Sequence, residues 1–133
     1  MTDFALHPRL AGDTVFVVDW PLSRVLLMED ARYPWLVLVP RLAGLVEITD
    51  LTAADRAWLM EEVARAGDAV RGLASVAKLN IGALGNLVPQ LHVHVVGRHP
   101  GDPAWPGPVW GHSPATPYET SARAALVDLV RSL

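Results

Sequence analysis

The run Gln90-Leu91-His92-Val93-His94-Val95-Val96 constrains this chain more than any other segment. A polar side chain stands at every second position, and Leu and Val fill the gaps. Strict alternation in a β-branched segment predicts a half-buried strand, here over Leu91 to Gly97. Side chains along a strand alternate between faces, so Gln90, His92 and His94 are expected on one face. Neighbours on that face are roughly 6.6–6.8 Å apart, two strand steps. An ordinary core is a poor place for such a row, because every buried imidazole needs a hydrogen-bond partner. The row suits a small anionic group or a metal ion.

The rest of the chain supplies the frame. Its 133 residues suffice for one domain with a real core and are too few for two, so the expectation is a single domain over 1–133. There is no cysteine, which excludes disulfides, thiolate metal sites and a cysteine nucleophile. The net charge is −3 and no basic run is present, which disfavours binding to long nucleic acid. No stretch reaches the roughly 20 apolar residues of a membrane helix, so no membrane partner is expected. Met1 to Gly12 lacks a basic region followed by an apolar one, and the expectation is a cytoplasmic protein.

Local patterns order the elements. Residues 3–12 read as a short helix or turn packed by Phe4, Leu6 and Leu10. Strands are expected at Thr14–Val18, Ser23–Met28, Trp35–Val39 and Ala77–Ala83, with Pro21, Pro34 and Pro40 punctuating the first three. Thr52 caps a helix in which Leu59, Val63, Ala66, Val70 and Leu73 form the core face. Glu61, Glu62, Arg65, Asp68 and Arg71 form the solvated one. Residues 99–117 hold five prolines before Pro117, three glycines and two tryptophans, the composition of an extended tail. A terminal helix follows over 118–133, started by Thr116-Pro117, with Ala122, Leu126, Leu129 and Leu133 as its stripe. Strands interrupted by one long helix predict an α+β fold with a mostly antiparallel sheet.

Val88 to Val96 resembles the histidine triad signature, His-φ-His-φ-His-φ-φ with φ apolar, except that Gln90 stands at the first His. Leu36-Val37-Leu38-Val39-Pro40-Arg41 is similar to the family's apolar strand ending in Pro and a basic residue. The long helix, the strand carrying Asn80 and the Gly-containing turn follow in the family's order. The likeness covers about residues 13–98, and Trp105-Pro106-Gly107-Pro108 is similar to the tail of one branch. The resemblance implies a five-stranded histidine-triad-like fold with one long helix, a short N-terminal helix and a C-terminal helix. It implies a cofactor-free hydrolase or transferase acting at a nucleotide α-phosphate, with a small-molecule nucleotide as substrate and a homodimer as assembly.

On the same resemblance His92 is the nucleophile and forms a nucleotidyl-histidine intermediate. His94 donates to a non-bridging phosphate oxygen, and Gln90 hydrogen-bonds without being able to transfer a proton. Asn80 and Asn86 supply amide donors, and the backbone at Gly85 approaches phosphate. Asp30 is either a ribose contact or a turn residue. Arg98 is either a phosphate clamp or a solvated charge. Leu87 stands where some relatives carry a hydroxyl, and Pro34-Trp35 replaces a Gly-His pair. Two other functions stay open. One is a nucleotide-binding protein with little turnover, suggested by Gln90 and Leu87. The other is a metal site in which His99, Asp102 or His112 joins the His-x-His pair. The Trp105–Trp110 segment either packs locally or crosses onto a partner.

Overall fold

The computed structural model describes residues 3–73 and 75–133. Helix α1 (Pro8–Asp13) opens with Pro at its first position, where a fixed φ helps and the missing N–H costs nothing. The His7 ring nitrogen Nδ1 caps it by accepting from the Arg9 backbone N–H. Strands β1 (Thr14–Asp19), β2 (Ser23–Met28) and β3 (Trp35–Pro40) follow as an antiparallel meander. After a 3-10 turn at Ile48–Asp50 come helix α2 (Ala53–Arg71), strands β4 (Lys78–Gly82) and β5 (Val93–Arg98), and helix α3 (Thr120–Arg131). The sheet order is β1-β2-β3-β5-β4 and every neighbouring pair is antiparallel. This is the expected five-stranded α+β arrangement.

The central strands β2, β3 and β5 are buried on both faces. Leu59, Val63, Ala66 and Val70 of α2 pack on Leu36, Leu38, Val93 and Val95. On the opposite face Trp35, Val37, Val39 and Val96 pack with Leu10 of α1 and with Ala104 and Val109 of the Pro-rich segment. Residues 99–117 are therefore not an extended tail. They fold as a series of turns over the face opposite α2, beside α1. Strand β5 is consequently buried along its whole length, not half-buried as alternation suggested.

Helix α2 begins where expected, with the Thr52 hydroxyl accepting from Asp55 N–H. Glycine appears where the layers touch. A Cβ on Gly97 would lie 2.7 Å from both Pro34 Cγ and Val70 Cγ1, so only hydrogen fits between β5, α2 and the β2–β3 connection.

Three expectations are corrected. Glu62 is buried rather than solvated, because its carboxylate accepts from Leu22 and Ser23 N–H, both at 2.9 Å, at the β1–β2 turn. Helix α3 starts at Thr120, and its core-facing residues are Leu126, Val127 and Val130. Ala122, Leu129 and Leu133 are exposed. Strand β5 starts at Val93, because Leu91 N–H donates to Leu45 O, outside the ladder. Among the described residues no helix is long and apolar enough to cross a membrane.

Replacing Glu62 by Ala strands two buried backbone donors, each costing about 1–3 kcal/mol. Glu62→Ala is therefore expected to lower the unfolding free energy by about 2–4 kcal/mol in urea titrations. Glu62→Gln, which keeps one acceptor oxygen, is expected to lose less.

Candidate functional site

Register builds the site. Strand β3 runs antiparallel to β5 with Val37 opposite His94 and Trp35 opposite Val96. Val93 and Val95 point into the α2 layer, so His94 and Val96 face the other way, toward Trp35 and the folded 99–117 segment. His92 lies just before β5, with its ring centroid 4.9 Å from that of His94. Both imidazoles are largely buried and border an open cavity of about 750 Å³.

Each ring is held in one tautomer, and the two tautomers are opposite. His92 Nδ1 lies 2.6 Å from Gln90 O. A carbonyl only accepts, so Nδ1 carries a proton and Nε2 holds the lone pair of the neutral ring. His94 Nδ1 lies 3.0 Å from Trp35 Nε1. An indole nitrogen only donates, so His94 Nδ1 is the acceptor and Nε2 carries the proton. Trp35 and Trp110 flank the His94 ring edge-on, with centroids 5.7 and 5.5 Å away. Burial, and secondarily the charge that His92 can carry, push the His94 pKa down to about 4. Near neutral pH it is a neutral N–H donor.

The other candidates divide. Asn86 and Gly85 line the cavity. Gly85 has φ +72°, a left-handed turn conformation that favours glycine. Asp30 also borders the cavity but is itself buried. Its carboxylate accepts from Arg32 N–H, Nε and Nη2 and from Thr116 N–H. Burial alone raises its pKa, but the Arg32 and Thr116 hydrogen bonds outweigh that, and the net shift is downward. Asp30 is thus more than a turn residue: it ties the β2–β3 connection to the segment leading into α3.

Gln90, Asn80 and Arg98 sit elsewhere. The Gln90 amide donates to Ala5 O and accepts from His7 N–H, each at 2.8 Å, and so holds the N-terminal segment. It borders a separate hollow of about 130 Å³ whose lining shares Leu84, Gly85 and His92 with the main cavity. Alternation fails for it because regular pairing ends at Val93. Arg98 is neither a phosphate clamp nor a solvated charge. It is fully buried and donates to Asp102 Oδ2 and Oδ1 at 2.7 and 2.9 Å. It also donates to Gly107 O and to Asn80 Oδ1, which engages Asn80 away from the cavity. Arg98 in turn holds the Asp102 carboxyl down at about 2. The Asp102 carboxylate also accepts from His99 and Trp105 N–H, which shapes the turns that bring Trp110 onto His94.

Sequence reasoning missed Trp35 and Trp110 as partners of His94. Proximity of these rings depends on register and on a folded tail, which no local pattern reports. For a metal, no group of three His, Cys, Asp or Glu converges among the described residues. Asp102 is held by Arg98, and His99 and His112 hydrogen-bond to Pro100 O and Ser113 Oγ.

The model of the HIT domain family matches residues 10–101. This chain belongs to the histidine triad family. A histidine triad protein from Bradyrhizobium japonicum is 46% identical and superposes with a TM-score of 0.95, covering 98% of each chain. Others from Marinobacter aquaeolei (42%, TM-score 0.95, 98% of this chain and 96% of that one) and Sinorhizobium meliloti (40%, 0.94, 97% and 96%) are equally similar in fold. No curated protein matches. Among histidine triad proteins of this likeness the whole chain is shared, including the segment after residue 101 that closes the site.

The His94 shift has a stability consequence. Above pH 6.5 its imidazole is neutral folded and unfolded. Between 6.5 and about 4 only the unfolded chain takes up the proton, so stability falls with pH and levels off below. The loss is on the order of 2–3 kcal/mol. Urea titrations at pH 7.5 and 4.5 are expected to show it, and His94→Asn is expected to reduce the difference. Asp102 acts in a lower window, between its ordinary value of 3.8 and about 2.

Proposed function

We propose that this protein hydrolyses a nucleotide derivative at its α-phosphate through a covalent intermediate on His92. The observation that carries the reading is the bond from His92 Nδ1 to Gln90 O, which leaves Nε2 as the nitrogen free to attack in the neutral ring, on a residue that lines the cavity. Nε2 attacks phosphorus, the bond to the leaving group breaks, and the nucleotidyl group rests on the ring. Water then attacks phosphorus, the P–N bond breaks, and the imidazole is regenerated neutral while the water proton passes to solvent. Splitting one hard displacement into two easier ones is the gain from a nucleophilic imidazole.

His94 Nε2–H donates to a non-bridging oxygen as charge develops, joined by Gly85 N–H and the Asn86 amide. Donors fixed before the reaction are commonly the larger part of catalysis at phosphorus. The cavity holds a nucleoside, with Leu10, Met28 and Val109 as apolar walls. The candidate substrate is a dinucleoside polyphosphate or a nucleoside phosphoramidate, with adenosine as the default base by family likeness. No cofactor is required for these steps.

Mass spectrometry of the protein quenched during turnover is expected to show a nucleotide adduct on His92. His92→Asn is expected to lose the adduct and at least about 10³-fold in kcat. Nucleotide binding by calorimetry with no adduct and no turnover would instead make it a binding protein.

A homodimer is part of the proposal. Edge strand β4 and the loop after it expose Ile81, Leu84 and Leu87 beside the cavity mouth, apolar surface suited to a second copy. Sedimentation is expected to give a dimer, and Ile81→Lys with Leu87→Lys a monomer.

A further inference from the structure

Among the described residues the cavity offers a nucleophile and several hydrogen-bond donors, but no group able to give a proton to a departing atom. We infer that this site, if it works through His92 as proposed above, cleaves nucleotide anhydrides, whose leaving group departs as a stable phosphate or carboxylate anion, and leaves phosphoramidates and alkyl esters essentially intact.

Gln90, the side chain at the signature's first position, is an amide and is turned to Ala5 and His7. His94 cannot serve as an imidazolium while the Trp35 N–H occupies its Nδ1, because two donors would then face each other at 3.0 Å. A neutral imidazole N–H stabilises charge but is a negligible acid. Each cavity carboxylate is paired with an arginine: Asp13 with Arg9, Glu29 with Arg123, and Asp30 with Arg32. Ser113, the lone hydroxyl of the lining among the described residues, hydrogen-bonds Arg32 and His112. In the small hollow behind His92, Glu47 caps the 3-10 turn at Ile48–Asp50. Leu87, at the loop position nearest the signature, brings no hydroxyl.

The bond changes then follow. As P–Nε2 forms, the bond from phosphorus to the bridging oxygen breaks and its electron pair leaves on that oxygen. A phosphate or carboxylate oxygen carries that charge without a proton. An amine or alkoxide does not. Trp35 is therefore a positioning residue that sets leaving-group selectivity by fixing the protonation of His94.

The test is a series of adenosine 5′-monophosphate derivatives on the intact protein: a p-nitrophenyl ester, a phenyl ester, an acyl anhydride, diadenosine triphosphate and an alkyl phosphoramidate. The phenyl ester and phosphoramidate are expected to be slower than the anhydrides by at least the roughly 10²–10⁴-fold that a general acid contributes. Phosphoramidate turnover within about tenfold of the anhydrides would overturn the inference while leaving the His92 mechanism intact. Absence of a His92 adduct with every substrate would overturn both. A second measurement is independent of turnover. Nitrogen-15 NMR of His94 is expected to show Nε2 protonated and Nδ1 bare at pH 6, and Trp35→Phe is expected to move its titration up while burial still holds it below the ordinary range. A His94 already doubly protonated at pH 6 in the unaltered protein would refute the lock.

Discussion

The register of β3 against β5 is the constraint on which the site depends. With Val37 opposite His94, the indole of Trp35 reaches diagonally across the pair to the His94 ring. A slip of one residue would turn both histidines into the α2 layer and bring Val93 and Val95 out. Burial on both faces prevents that slip. Val95 and Val93 belong to the α2 core, while Val96 and Trp35 belong to the opposite one. The same apolar contacts that hold the sheet together therefore decide which way the imidazoles point.

Around that register, two histidines of like chemistry become unlike groups. One ring meets a backbone carbonyl through Nδ1, which leaves the lone pair of its neutral form on Nε2. The other meets an indole N–H through Nδ1 and keeps its proton on Nε2. Neither assignment requires an ion near the rings, and both partners are insensitive to pH. The site is thus set by hydrogen-bond direction more than by charge, in keeping with the downward shift of His94. A buried cation is placed further along β5 and serves structure. Arg98 is satisfied by Asp102, Asn80 and Gly107, and the turns it stabilises bring Trp110 against His94. Losing one partner of such a buried pair is worth about 3–5 kcal/mol, so the wall of the cavity is anchored firmly.

Membership of the histidine triad family and the α+β sheet follow from features that a single chain displays openly. Strand positions were readable because Pro21, Pro34 and Pro40 punctuate β-branched runs. Helix α2 was readable because Thr52 caps a 3.6-residue apolar stripe. His92 and His94 stood out because two imidazoles two residues apart in an apolar strand have no structural excuse. Arg98 and Glu62 were misread, since a charge at a strand end or on a helix looks solvated until its buried partner is known. Gln90 was misplaced because alternation carries on in the letters after pairing has stopped in space.

The sequence by itself determined the elements, their order and the pair of histidines, because periodicity, proline and caps act over a few neighbouring residues. Only the tertiary structure decided which nitrogen of each ring bears the proton, that Gln90 braces the N-terminal segment, and that residues 99–117 fold back to wall the cavity. Those outcomes rest on partners from 2 to 85 positions away in the chain. Contacts at such range are fixed by packing two layers against one sheet, and local patterns of residues carry no record of it.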